Sequence, residues 1–215
     1  MQSNETAIEA QEHAPDERRA SKRSASLIRA GKLVSARGEF VCTIRDASQD
    51  GIALKMFHEF PQCPEVALEL RNGASFELKR VHGEGDTAGF AFADDIDVVK
   101  LLDDNWHYPK RGVRLNITMP IKLETRDGTV VEAFTDNISQ QGAGIECQTA
   151  FAVNQPLMLS SDHLAKIPAK VRWCRDGQYG LVFDNTFSLR DFALLGARLQ
   201  CPGLVPGEDR LGWAA

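Results

Sequence analysis

From Ser24 onward the chain alternates short apolar segments, rich in Val, Ile, Leu and Phe, with polar, glycine-bearing turns every 8 to 12 residues. That rhythm predicts the short strands of a barrel or sandwich. The first group of predicted strands is Leu27–Val34, Glu39–Ile44, Ile52–Met56, Val66–Leu70, Ser75–Val81 and Ala88–Phe92. Turns are expected at Ala36-Arg37-Gly38, Arg71-Asn72-Gly73 and Gly83-Glu84-Gly85. The Asn-Gly pair favours a tight hairpin because both residues tolerate positive φ. After Phe92 the period changes. Ile96, Val99 and Leu102 recur at helical spacing behind Asp94, Asp95 and Asp97, whose carboxylates suit a helix N-terminus, so a helix is predicted from about Asp95 to Asn105.

The programme then repeats at an offset of 91 residues: Arg23 falls on Arg114, Ser48 on Ser139, Gly51 on Gly142, Gly89 on Gly180 and Phe92 on Phe183. The second group of predicted strands is Leu115–Leu123, Thr129–Phe134, Ala143–Cys147, Pro156–Ser160, Ala169–Trp173 and Gly180–Phe183, followed by a helix near Ser188–Leu199. Ser188 supplies an N-cap oxygen, and Leu189, Phe192, Leu195 and Leu199 form an apolar stripe. One region fits less well, since Val81 and Val171 reach Gly89 and Gly180 over 8 and 9 residues, which predicts a one-residue difference in that hairpin. The division that follows is a polar tail over 1–17, a first unit over 18–105, a linker over 106–109 ending in Pro109, a second unit over 110–200 and a flexible tail over 201–215. The expected fold is all-β, two tandem six-stranded antiparallel barrels, each followed by a helix.

Composition changes this picture little. At 215 residues, 43% hydrophobic and 26% charged, the chain suits two domains of ordinary make-up. Its apolar runs are far shorter than the roughly 18 residues of a membrane span, and residues 1–17 hold no apolar leader, so a cytoplasmic location without membrane insertion is expected. Five cysteines (Cys42, Cys63, Cys147, Cys174 and Cys201) without a C-x-x-C pair suggest reduced thiols, with neither a disulfide framework nor a metal site. The five histidines (His13, His58, His82, His107 and His163) are dispersed, and no phosphate loop, nucleophile elbow or metalloprotease motif occurs. A non-catalytic protein without a cofactor is therefore expected.

Charge distribution is more informative. The formal net charge is -5, which disfavours DNA as a partner. Between Arg18 and Gly38, however, lie seven Lys or Arg and no Asp or Glu. A small basic site on an acidic body suits a compact anion.

Two polar clusters flank the first strand pair of each unit. In the first unit they are Arg18-Arg19-Ala20-Ser21-Lys22-Arg23 and Asp46-Ala47-Ser48-Gln49-Asp50-Gly51. In the second they are Lys110-Arg111-Gly112-Val113-Arg114 and Asn137-Ile138-Ser139-Gln140-Gln141-Gly142. Arg23 to Asp46 and Arg114 to Asn137 are both 23 positions. A basic run before a strand is by itself an edge guard or a solvated face, and an Asp-x-Ser-x-x-Gly stretch is by itself a turn. Both in order, at one spacing, twice, point to a binding device.

These motifs resemble the PilZ domain family, bacterial receptors for cyclic di-GMP whose pattern is RxxxR before the first strand and [D/N]xSxxG after the second. Arg19 to Arg23 with Asp46 to Gly51 match it fully, and Lys110 to Arg114 with Asn137 to Gly142 match with lysine in place of the first arginine. The resemblance covers about 18–104 and 109–195. It implies that cyclic di-GMP is the ligand, held by Arg18, Arg19, Arg23, Asp46, Ser48 and Gly51, with a second, weaker site at Lys110, Arg111, Arg114, Asn137, Ser139 and Gly142. Arginine suits the task because its planar fork bonds phosphate, or guanine O6 and N7, in pairs and stacks on a purine, whereas lysine offers charge alone. Trp106, Tyr108 and Trp173 are read first as core or interdomain packing residues, with stacking platforms as the alternative. The resemblance also implies a downstream protein partner in motility or polysaccharide synthesis. The alternative is a nucleotide-independent interaction or dimerisation module on the same barrels, with the homodimer as one such form.

Overall fold

The computed structural model describes residues 29–97, 101 and 112–205. In the first unit, β1 (Arg29–Ser35), β2 (Gly38–Ala47), β3 (Gly51–Lys55), β4 (Glu65–Glu69), β5 (Ser75–Glu84) and β6 (Thr87–Phe92) close an antiparallel ring in the order β1-β2-β3-β6-β5-β4, with β4 pairing back onto β1. In the second, β7 (Arg114–Leu115) precedes β8 (Pro120–Glu124), β9 (Val130–Ser139), β10 (Gly142–Glu146), β11 (Pro156–Ser161), β12 (Leu164–Arg175) and β13 (Gln178–Phe183). The ring β8-β9-β10-β13-β12-β11 closes in the same topology, and β7 adds to the edge of β9. The chain is thus two closed six-stranded barrels, as the strand rhythm predicts.

The repeat is closer than the sequence suggests in one hairpin and looser in another. The hairpin of β5 and β6 pairs Arg80 with Phe90 and His82 with Gly89, leaving Val81 bulged. The hairpin of β12 and β13 pairs Val171 with Leu181 and Trp173 with Gly180, leaving Arg172 bulged. Every pair is displaced by the same 91 positions, so the expected one-residue difference is not there. Val81 corresponds to the bulged Arg172, and aligning it with Val171 created the apparent gap. The difference lies in the first hairpin instead. Ser35 pairs with Gly38 around a two-residue turn, whereas Glu124 pairs with Val130 around residues 125–129.

The predicted strand Leu115–Leu123 is also broken, between β7 and β8. Thr135, fully buried, accepts from the Met119 N–H (3.0 Å) and donates to the Ile117 carbonyl (2.7 Å), capturing the intervening backbone with its side chain. Its counterpart in the first barrel is Ile44, which has no such capacity, and β1 continues there to Arg29 opposite Ile44.

The helix α1 (Leu189–Gln200) is capped by Ser188, whose hydroxyl accepts from the Asp191 N–H at 3.0 Å. Phe192, Ala193 and Leu195 close the core of the second barrel, while Ala197 enters that of the first. The apolar run Phe40-Val41-Cys42-Thr43-Ile44 reflects the same arrangement: Phe40, Cys42 and Ile44 fill the first barrel and Val41, on the opposite face, joins the core of the second. Residues 201–205, expected as part of a flexible tail, include a 3-10 turn (Pro202–Leu204), and Cys201, Leu204 and Val205 pack on the first core. Of the helix predicted after the first barrel, Asp95–Asp97 lack regular structure and Leu101 is helical and buried. The rest lies outside the described residues.

All five cysteines are free thiols. Among the described residues no helix is long and apolar enough to cross a membrane, and no group of three or more His, Cys, Asp or Glu side chains could hold a metal.

Candidate ligand-binding site

In the second barrel the two motifs meet across strands. Short β7 pairs with β9 so that Arg114 stands opposite Ser139 and Leu115 opposite Ile138. Val113 and Leu115, both buried, anchor the backbone on either side and leave the Arg114 side chain exposed. Arg114 lines a cleft of about 350 Å³ together with Asp136, Asn137, Ser139, Arg172 and Trp173.

Two bulges shape this cleft. The β9 register shifts between Gly144, opposite Asn137, and Ile145, opposite Thr135, so Asp136 is the extra residue. Arg172 is the extra residue of β12. A bulge breaks strict alternation and allows consecutive side chains to serve one face, here Asp136 with Asn137 on one wall and Arg172 with Trp173 on the other.

The floor between the walls is glycine. A Cβ on Gly180 would lie 1.9 Å from Trp173 Nε1, and one on Gly144 would lie 2.7 Å from Asn137 Nδ2. The indole and the amide therefore rest on bare backbone. At Gly142 the constraint is the partner strand, since a Cβ would lie 2.0 Å from the Leu181 carbonyl oxygen. The glycine of the motif serves close approach and not a positive φ. Ser139 has a structural task too: its hydroxyl donates to the Gly142 carbonyl at 3.0 Å. The loop between them is tied to the lead-in of α1, with the Gln140 side-chain amide donating to the Phe187 carbonyl at 3.0 Å.

Sequence reasoning missed Arg172 and preferred packing to stacking for Trp173. Trp173, expected in packing, is 46% exposed and lies in the cleft. The signal was an aromatic ring seven residues before a glycine in both copies, His82 before Gly89 and Trp173 before Gly180, and the misaligned valines hid it. Trp106 and Tyr108 lie outside the described residues, as do Lys110 and Arg111.

The first barrel holds the matching cleft, of about 300 Å³, lined among others by Asp46, Ser48, Asp50, Gly51, Val81 and His82. His82 rests on Gly89 as Trp173 does on Gly180, with a Gly89 Cβ 2.1 Å from the imidazole. Ser48 again donates to the carbonyl of its glycine, Gly51, at 3.3 Å, and a Gly51 Cβ would lie 2.4 Å from the Phe90 carbonyl oxygen. The scaffold is thus duplicated, but its chemistry differs. Among the described residues this cleft is lined by two carboxylates and by no Lys or Arg. Arg18, Arg19 and Arg23 lie outside the described residues.

Residues 109–205 match the family model of the PilZ domain. No curated protein matches the sequence. Among solved structures, the chain is similar to the PlzA protein of Borreliella burgdorferi in complex with c-di-GMP, at 13% identity over 81% of this chain and 88% of that one, TM-score 0.35. It is similar to the inhibitor of motility MotI/DgrA of Bacillus subtilis at 11% identity over 82% and 98%, TM-score 0.35. It is also similar to YcgR of Escherichia coli in complex with c-di-GMP at 11% identity over 76% and 80%, TM-score 0.30.

Proposed function

We propose, from the match of residues 109–205 to the PilZ domain family, that this chain is a non-catalytic cyclic di-GMP receptor whose principal site is the cleft of the second barrel. The observation that carries the proposal is the pairing of Arg114 with Ser139 across β7 and β9, which brings this arginine of the basic segment onto the rim of the cleft that the second motif builds.

The ligand is a dianion bearing two guanines, so a receptor must supply cations, a stacking surface and acceptors for the guanine N–H edge. Arg114 and Arg172 supply the cations, and a guanidinium fork can take phosphate oxygens or guanine O6 and N7 in pairs. The indole of Trp173, held flat on Gly180, offers the stacking face. Asp136 and the Asn137 carbonyl oxygen offer acceptors to guanine N1–H and N2–H₂. A cleft of about 350 Å³ falls within the range of small-molecule sites, roughly 300–1,000 Å³. Lys110 and Arg111 extend the same basic segment and complete the proposed set with Gly142. In the first barrel Arg18, Arg19, Arg23, Asp46, Ser48 and Gly51 form a second proposed site, in which the basic segment supplies all the positive charge.

Binding would pass to a partner protein in motility or polysaccharide synthesis by rearrangement of the basic segments, in a cytoplasmic setting. The test is a titration with cyclic di-GMP followed by tryptophan fluorescence. Saturable quenching that disappears in Trp173→Phe is expected. An unchanged spectrum at micromolar ligand overturns the assignment of Trp173 to the site.

A further inference from the structure

Glu39, at the start of β2 in the first barrel, bonds to the backbone that follows β7 in the second. Its carboxylate accepts three hydrogen bonds: from the Asn116 backbone N–H (2.7 Å), from Asn116 Nδ2 (2.8 Å) and from Lys32 Nζ (3.0 Å). Its own backbone N–H and carbonyl are both taken by the Gln200 side-chain amide, at 2.8 and 2.6 Å. Lys32 is held in turn by Glu69 at 2.8 Å. One residue therefore ties β1, the C-terminal end of α1 and the backbone that follows β7.

Asn116 lies two positions after Arg114, with buried Leu115 between them. Arg114 lines not only the cleft but also a groove shared with Lys32, Glu69 and Arg71 of the first barrel. Glu39 is not a requirement of the barrel fold itself. Its counterpart 91 positions on is Val130, which is 56% exposed.

We propose that Glu39 is a positioning residue for the cyclic di-GMP site: by holding Asn116 it fixes β7, and with it the arginine opposite Ser139, so that the first barrel raises ligand affinity without touching ligand. This rests on the reading of the cleft given above. The physical basis is preorganisation, since a segment already held in its binding position has less freedom to lose when the guanidinium engages phosphate.

The experiment has two arms on the full chain. Amide hydrogen exchange without ligand compares wild type with Glu39→Ala and Asn116→Ala. Faster exchange at Arg114 and Leu115, with the interior of β10 and β13 unchanged, is expected in both variants. Unchanged exchange at β7 overturns the proposal whether or not the protein binds nucleotide. Calorimetric titration then compares the same variants with Arg114→Lys and with the Glu39→Ala/Arg114→Lys double variant. Glu39→Ala is expected to weaken binding about tenfold, the size of one charge-assisted bond. In the Arg114→Lys background it is expected to cost less than about threefold, because the fork whose placement it secures is gone. Fully additive losses assign Glu39 a merely structural role and overturn the proposal. Should Glu39→Ala fail to fold, Asn116→Ala carries the same comparison. Absence of heat in wild type defeats the cyclic di-GMP reading instead, leaving the tether to be decided by exchange.

Discussion

At the scale of single residues the account depends on planar groups. Arg114 offers two parallel donors and a stacking plane, and Arg114→Lys keeps only the charge. The expected loss is about 1–3 kcal/mol, or one to two decades in Kd measured by calorimetry. Trp173 contributes through its ring face, and Trp173→Ala is expected to cost about 1–3 kcal/mol of binding. Because the indole sits on Gly180 at the surface and outside the core, thermal stability should change little, so a large drop in melting temperature would contradict the placement. The residues of the cleft divide by role. Ser139 and Gly142 shape the loop, through a hydroxyl on a carbonyl and a strand approach too close for a Cβ. Arg114, Asp136, Asn137, Arg172 and Trp173 face the space a ligand would fill.

At the scale of elements the instructive residue is Thr135. Its hydroxyl replaces the strand pairing that β1 makes in the first barrel, ending β7 after two residues and starting β8 at Pro120. Thr135→Val preserves shape but leaves the Met119 N–H and Ile117 carbonyl unsatisfied in a buried site. The expected destabilisation is about 1–3 kcal/mol in denaturant unfolding, with ligand affinity falling as β7 loosens. The alternation of apolar and polar positions made the twelve barrel strands legible, along with the capped helix after Ser188. It could not reveal the break before Pro120, because a buried threonine fits an apolar pattern and its hydrogen bonds are non-local. The bulges at Asp136 and Arg172 escaped for a related reason: a bulge is set by pairing between strands, and the sequence of one strand does not show it. The same blindness hid Arg172 and the exposure of Trp173. The equal spacing of 23 positions in the two copies gave a false impression of equal geometry, since the first hairpins differ in loop length.

At the scale of the whole molecule the two barrels are joined through α1, Val41 and the cluster around Glu39. Burial alone would raise the Glu39 carboxyl, but hydrogen bonds from Asn116 and Lys32 hold it below its ordinary value of 4.5. Its contribution is therefore full above that ordinary value and is lost as pH falls through the lowered one. Burial would lower the Lys32 amine, but bonds to Glu69 and Glu39 raise it above 10.5. Its contribution is full below that ordinary value and is lost as pH rises through the raised one. The stability difference between wild type and Glu39→Gln should accordingly hold steady across neutral pH and shrink in acid, as read by urea unfolding at several pH values. A difference that grows as pH falls through the carboxylate range would reverse the sign argued here.

The motif match alone favours the first unit, where both arginines of RxxxR are present as Arg19 and Arg23. The principal site proposed above is the second unit's, where Arg114 of the basic segment stands opposite Ser139 of the loop motif on a cleft that also holds an exposed indole, while Arg19 and Arg23 lie outside the described residues. The most direct measurement is calorimetric titration of the full chain with cyclic di-GMP in wild type, Arg114→Ala and Asp46→Ala. The account predicts saturable heat in wild type, near-complete loss of the tighter binding event in Arg114→Ala and its retention in Asp46→Ala. Tight binding that survives Arg114→Ala and vanishes in Asp46→Ala would place the principal site on the first barrel and contradict the central claim.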